Sequence, residues 1–275
     1  MQLKISDEEY EQCLIDYENR LDRLHFIVLS KSKHIYTFCT LAYYTGEVLQ
    51  GFLDKCLLKI QRCDADCYLY LITLVRLLYV NDQRFEQEEV QFSLRTAKER
   101  ICQALSKFPF YPAVDTPHKG DANKLIFWSE HVLFMTLSSA HLFFQYYKHT
   151  LHQPPPNHSV LIEEAFQKLL EVHAHRDFGG IYEVNSSLTL PCTLCALLNL
   201  VDFSAQDAVR QRSEGVLTTL LTHLSLCTNP TNGSMVFSAT TRSCRDSRRR
   251  SFGFDLNQLS NLLLGRSPDA PTPSP

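Results

Sequence analysis

Glycine is scarce in this chain, with nine in 275 residues. That argues against a β-sandwich or a glycine-looped nucleotide fold, since both need residues free to take left-handed backbone. Neither G-x-G-x-x-G nor G-x-x-x-x-G-K-[ST] occurs, and no cofactor is expected. Long apolar runs are missing too. The two longest, 68–80 and 132–147, carry Arg76, His141 and Gln145 and fall short of the ~20 residues that cross a bilayer. They are expected as buried helices, with no membrane partner. Charge of one sign is not in excess. A net charge of −3 and a pI of about 6.4 give no general pull toward nucleic acid or anionic lipid. The first residues, "MQLKISDEEYEQ", lack the basic start and apolar run of a signal peptide. A cytoplasmic chain is therefore expected, with its ten cysteines packed as reduced thiols.

What the chain has is helical periodicity. Tyr10, Leu14, Tyr17, Leu21 and Leu24 mark a helix over 6–29, and Phe38, Leu41, Val48, Phe52 and Leu57 a second over 34–62. Asp64 or Asp66 then opens the apolar segment "CYLYLITLVRLLYV". Val90, Leu94, Ala97, Ile101 and Leu105 share one face of 86–107. An apolar helix over 129–147 is followed by an amphipathic one over 158–174, with Val160, Ile162, Phe166 and Leu170 inward. Another apolar helix, 186–203, precedes 205–227, with Val209, Val216, Leu220 and Leu224 inward.

Apolar and amphipathic helices thus alternate three times, with a period of roughly 55–65 residues. Helices apolar all round belong inside and one-sided helices cover them. The expected fold is all-α: repeated α-hairpins forming an α/α toroid or an open solenoid. A closed ring of six hairpins needs twelve helices, and about nine or ten are legible, so an incomplete ring is expected. Near the C-terminus, 235–240 reads as a short β-like hairpin strand, and "DLNQLSNLLLG" as a short helix. Residues 1–265 form one domain in this reading, and the proline-rich 266–275 a disordered tail.

Inner helices that run in one direction gather their N-terminal ends on one rim. There "FWSEH" precedes one inner helix and "GGIYEVNS" the next. Each sets an aromatic beside a glutamate: Trp128 with Glu130, and Tyr182 with Glu183. A plain structural role is open, with Ser129 capping the helix, Glu130 complementing its dipole, and Asn185 or Ser186 capping the next. The functional reading is a shared groove. Aromatic faces stack on sugars, and two glutamates serve a glycosidase when their carboxyls lie ~5–10 Å apart. A lyase needs instead a neutraliser for a uronate carboxylate, such as Asn185, His131 or Arg242, and an acid and a base, such as His131 or Tyr182.

The motifs "FWSE-x-x-x-x-M-x-x-SSA-x-L", "FGGIYEVNSSLTLPCTLCALLNLVDF" and "TTRS" followed by "N-x-x-x-L-L-x-G" resemble those of (α/α)-toroid polysaccharide lyases and six-hairpin glycosidases. They are most similar to toroid proteins of uncharacterised activity with a W-S-E-N-H motif. The resemblance spans residues 60–265. It implies a carbohydrate-binding or carbohydrate-cleaving domain, lyase or hydrolase, acting on an acidic polysaccharide. Glu130, His131 and Tyr182 are its catalytic candidates, and Trp128, Glu183, Asn185 and Arg242 its substrate-binding ones. The motif's Asn falls on His131 and its His on Val132. The family's G-R-S-Y falls on Thr241, Arg242, Ser243 and Cys244. Valine does not titrate and a thiol replaces a phenol poorly, so a degenerate, binding-only domain belongs to the same expectation. The alternative is a non-catalytic cytosolic helical-repeat scaffold for a protein partner.

No metal is expected. Cys192 and Cys195 share a helix face, but no second pair of matching spacing follows them, and His173-x-His175 lies elsewhere. Cys56, Cys63 and Cys67 also have spacings that put them on one helix face. His141 and Gln145 interrupt an apolar helix and are expected to be satisfied by neighbours. "RRRS" at 248–251 has the form of a basophilic kinase site.

Overall fold

The computed structural model describes residues 8, 11, 12, 15, 50–64, 67–82, 92–110, 129–152, 159–175, 181–182 and 189–228. Among these the protein is all-α, with seven helices. They are α1 (Gln50–Gln61), α2 (Cys67–Val80), α3 (Phe92–Ser106), α4 (Glu130–His149), α5 (Ser159–Ala174), α6 (Leu190–Phe203) and α7 (Asp207–Leu226). Residues 8, 11, 12 and 15 are helical, within the helix expected over 6–29. The β-like run, the C-terminal helix and the tail lie outside the described residues. No described helix is long and apolar enough to cross a membrane.

The helices that are apolar around most of their circumference, α2, α4 and α6, all pack against one another. Helices α1 and α3 cover α2, α5 covers α4, and α7 covers both α5 and α6. Each expected apolar–amphipathic pair is in contact: α2 with α3, α4 with α5, and α6 with α7. Surrounded helices need apolar residues on several faces, and peripheral ones need a single stripe. In α4, Phe134 and Phe143 are fully buried, as is Phe166 in α5. Each such side chain contributes about 1.5–3 kcal/mol on leaving water. In α5 the buried stripe is Ile162, Phe166, Leu170 and His173, and in α7 it is Val209, Ser213, Val216, Leu220 and Leu224. Val160 was expected inward but is 69% exposed. It sits two residues before Ile162, about 200° around the helix, and so on the opposite side from the stripe.

The inner helices run in one direction. At their C-terminal ends the Tyr79 hydroxyl donates to the Leu142 carbonyl at 2.8 Å. Gln145 Nε2 donates to the Tyr79 hydroxyl and to the Phe203 carbonyl, each at 2.8 Å, and its Oε1 accepts from the Ala205 N–H at 2.6 Å. Tyr79 stacks on Phe203 with centroids 4.9 Å apart, and the Arg76 guanidinium lies 5.2 Å from the Phe203 ring. Arg76 also donates to Asn199 and Asp202, both at 2.9 Å. Burial pushes the Tyr79 phenol well above its ordinary pKa, which keeps it a neutral donor. At the opposite ends of α2 and α4, Tyr68 meets His131 edge-on, with centroids 6.1 Å apart.

Helix α1 stops at a turn in which the Cys63 N–H donates to the Ile60 carbonyl and the Asp64 N–H to the Lys59 carbonyl, at 3.0 and 3.1 Å. This Schellman pattern needs a left-handed residue, and Cys63 takes that place with φ 47°. Cys56, Cys63 and Cys67 therefore do not share one helix face, because α1 ends before Cys63 and α2 begins at Cys67.

Two outcomes follow for stability. Gln145→Leu leaves the Phe203 carbonyl and the Ala205 N–H without their side-chain partner, and should cost about 1–3 kcal/mol in urea unfolding. Cys63→Gly should raise stability by up to about 1 kcal/mol, since glycine takes positive φ without a Cβ penalty. A lower melting temperature would mean that thiol packing outweighs backbone strain.

Candidate functional site

Two carboxylate–imidazole pairs join α4 to α5. Glu130, the first residue of α4, meets His173 in the last turn of α5, with Oε1 and Nε2 2.7 Å apart. His141 Nδ1, about three turns further along α4, faces both oxygens of Glu163 near the start of α5, at 2.9 and 3.0 Å. The helices are therefore antiparallel, and each contributes one acid and one base.

The second pair is structural in character. His141 is buried, stacks on Phe166 with centroids 4.5 Å apart, and reaches the Ser204 hydroxyl with Nε2 at 3.2 Å. Gln167 Nε2 donates to Glu163 Oε1 at 2.8 Å. Burial acts against the charged form of Glu163. The hydrogen bond and charge of His141, with the Gln167 amide, outweigh it and hold the carboxyl below its ordinary pKa. The expectation that His141 and Gln145 are satisfied by neighbours is met.

The first pair lies at the N-terminal end of α4. Glu130 has 9% of its side chain exposed and His173 5%. Glu130 Oε1 also accepts the backbone N–H of Tyr182 at 2.8 Å. The Tyr182 ring stands edge-on to His173, centroids 6.2 Å apart, and the residue is 71% exposed. Phe134 packs edge-on against the same imidazole at 4.8 Å. The segments "FWSEH" and "GGIYEVNS" thus meet, through Glu130 and Tyr182. Ser129 is the N-cap residue of α4 but makes no side-chain capping bond. Its hydroxyl lies 2.6 Å from His131 Nδ1 instead. The residue before α6 is Thr189, rather than the Asn185 or Ser186 expected from sequence. Trp128, Glu183, Asn185 and Arg242 lie outside the described residues.

His173 is the member of this cluster that sequence reasoning did not assign to the rim. The signal was present: it falls on the stripe of Ile162, Phe166 and Leu170, where a polar residue implies a buried partner. Sequence reasoning weighed it only with His175, as a spacing that does not complete a metal site. Among the described residues no group of three or more His, Cys, Asp or Glu side chains is arranged to hold a metal ion.

Cys63, Cys102 and Cys195 do not have the features of activated nucleophiles, which need a lowered pKa. Burial pushes Cys102 and Cys195 up to about 11, and burial with the Asp64 charge raises Cys63. A cleft of about 210 Å³ at the C-terminal ends of α1 and α3 is lined by Ile60, Cys63, Ala104, Phe108 and Pro109, with Gln61, Gln103 and Lys107. Glu130, His131, His173 and Tyr182 are not among its lining residues.

A pH dependence follows from Glu163. Its folded pKa is lowered, so it adds stability above its unfolded pKa and loses that contribution as pH falls through the folded value. His141→Leu should raise the Glu163 titration midpoint, read by carboxyl NMR, and narrow the stability difference between neutral and acid solution. An unmoved midpoint would exclude His141 as the cause. No known protein family, curated protein or solved structure matches this chain.

Proposed function

We propose that the chain is an (α/α) carbohydrate domain, built of repeated hairpins as a toroid or open solenoid, that binds or cleaves an acidic polysaccharide in the cytoplasm. One observation carries this reading. Tyr182 presents an exposed ring at the N-terminal end of inner helix α4, while a buried carboxylate holds its backbone at 2.8 Å. An aromatic face kept in solvent on a fixed backbone is suited to stacking on a sugar ring. Glu130 is engaged by His173 and by the Tyr182 N–H, which favours a holding role for it over a reacting one. His131 is partly exposed and keeps the acid–base role in this proposal, with Tyr182 as its partner in proton transfer. Trp128, Glu183 and Asn185 are assigned to sugar contact, and Arg242 to the uronate charge.

A second reading, a scaffold for a protein partner, is favoured by exposed apolar residues on the covering helices. Val160 and Leu161 on α5 and Leu226 on α7 are 69%, 58% and 79% exposed. Residues of this kind tend to be covered at interfaces.

The test is affinity electrophoresis of the purified chain in polygalacturonate and alginate, with ultraviolet absorbance followed for an unsaturated product. Retardation is expected, and Tyr182→Ala should weaken it about tenfold or more, the loss of one stacking contact. Tyr182→Phe should retain binding and lose any cleavage. Retardation equal in wild type and Tyr182→Ala would sink the assignment, and no retardation in either polymer would leave the scaffold reading.

A further inference from the structure

We infer that His173 is the positioning residue of the Tyr182 site. For its role at that site the inference rests on the carbohydrate reading, and it extends that reading to a residue that makes no contact with sugar. The geometry points to a relay of fixed contacts from the last turn of α5 to the rim. His173 is 4% exposed, and its Nδ1 donates to the Leu169 carbonyl at 2.7 Å. A carbonyl only accepts, so the Nδ1 proton is assigned and the ring cannot flip without losing that bond. Nε2 is thereby aimed at Glu130 Oε1, 2.7 Å away. The same oxygen accepts the Tyr182 N–H at 2.8 Å. His173 sets the carboxylate, and the carboxylate sets the backbone from which the exposed ring projects.

The choice of imidazole has a physical reason. With Nδ1 committed to the Leu169 carbonyl, the imidazole presents one nitrogen to the one carboxylate oxygen 2.7 Å away, which suits a nearly dry site. A flat ring also fits edge-on contacts with both Phe134 and Tyr182, at 4.8 and 6.2 Å between centroids. A lysine or arginine would bring more donors than these partners accept.

Hydrogen exchange at the Tyr182 amide, read by NMR on the full chain, tests this without any ligand. In His173→Gln the amide nitrogen stands where Nε2 stood, and in His173→Asn it stands where Nδ1 stood. The Gln variant should exchange within about 3-fold of wild type, and the Asn variant about 10-fold or more faster, the loss of a charge-assisted bond. Amides of α2 serve as the control for global folding. Equal exchange in the two variants, with α2 protected in both, overturns the inference. Binding of a galacturonate oligosaccharide is measured on the same proteins and should weaken in His173→Asn alone. If the exchange result holds and wild type binds no oligosaccharide, the positioning stands and the carbohydrate reading falls. If Tyr182→Ala abolishes binding while His173→Asn alters neither exchange nor binding, the positioning falls and the carbohydrate reading stands.

Discussion

Helix α4 has to carry polar side chains through a region packed on α2, α5 and α6, and the arrangement around it follows from satisfying them. A buried donor or acceptor left without a partner costs about 1–3 kcal/mol, so Glu130, His141 and Gln145 on α4 dictate much of what must lie opposite. Glu130 requires His173, His141 requires Glu163 and Ser204, and Gln145 requires Tyr79 and the turn after α6. Apolar burial supplies most of the driving force, but it is nondirectional. The polar contacts fix which turn of each neighbour faces which turn of α4.

Much of the helical layout was legible because hydrophobic periodicity reports how many sides of a helix are covered. "CYLYLITLVRLLYV" is apolar nearly all round because α1, α3, α4 and α6 surround it. Val160 was placed inward against the same logic, since a residue two before Ile162 lies on the far side of the helix from the stripe. The cysteine trio failed for another reason. The end of α1 depends on Cys63 taking a left-handed backbone, which a sequence signals clearly only when glycine or asparagine stands there.

The rim was legible in part. That "FWSEH" and "GGIYEVNS" should approach one another followed from parallel inner helices, and the Glu130–Tyr182 bond joins them. That the bond uses the tyrosine's backbone rather than its phenol was not readable, because a main-chain N–H leaves no mark in a sequence. Ser129 shows the same limit. A serine before a helix normally caps it, yet here a histidine two residues on takes the hydroxyl. Local competition of this kind is decided by rotamers.

The crossed pattern of acid and base along α4 and α5 has a consequence for how the chain reaches this state. A collapsed hairpin slipped by one turn would still bury much of its apolar surface, since leucines and phenylalanines substitute for one another at modest cost. It would not keep both pairs. Neither carboxylate would keep its imidazole, and the two buried imidazoles would lose their carboxylate partners. The correct register gains little absolute depth from these contacts, while the wrong ones are raised. The two pairs thereby act as a proofreading device in the folding of the hairpin, rejecting near-miss packings that hydrophobic contact alone would accept.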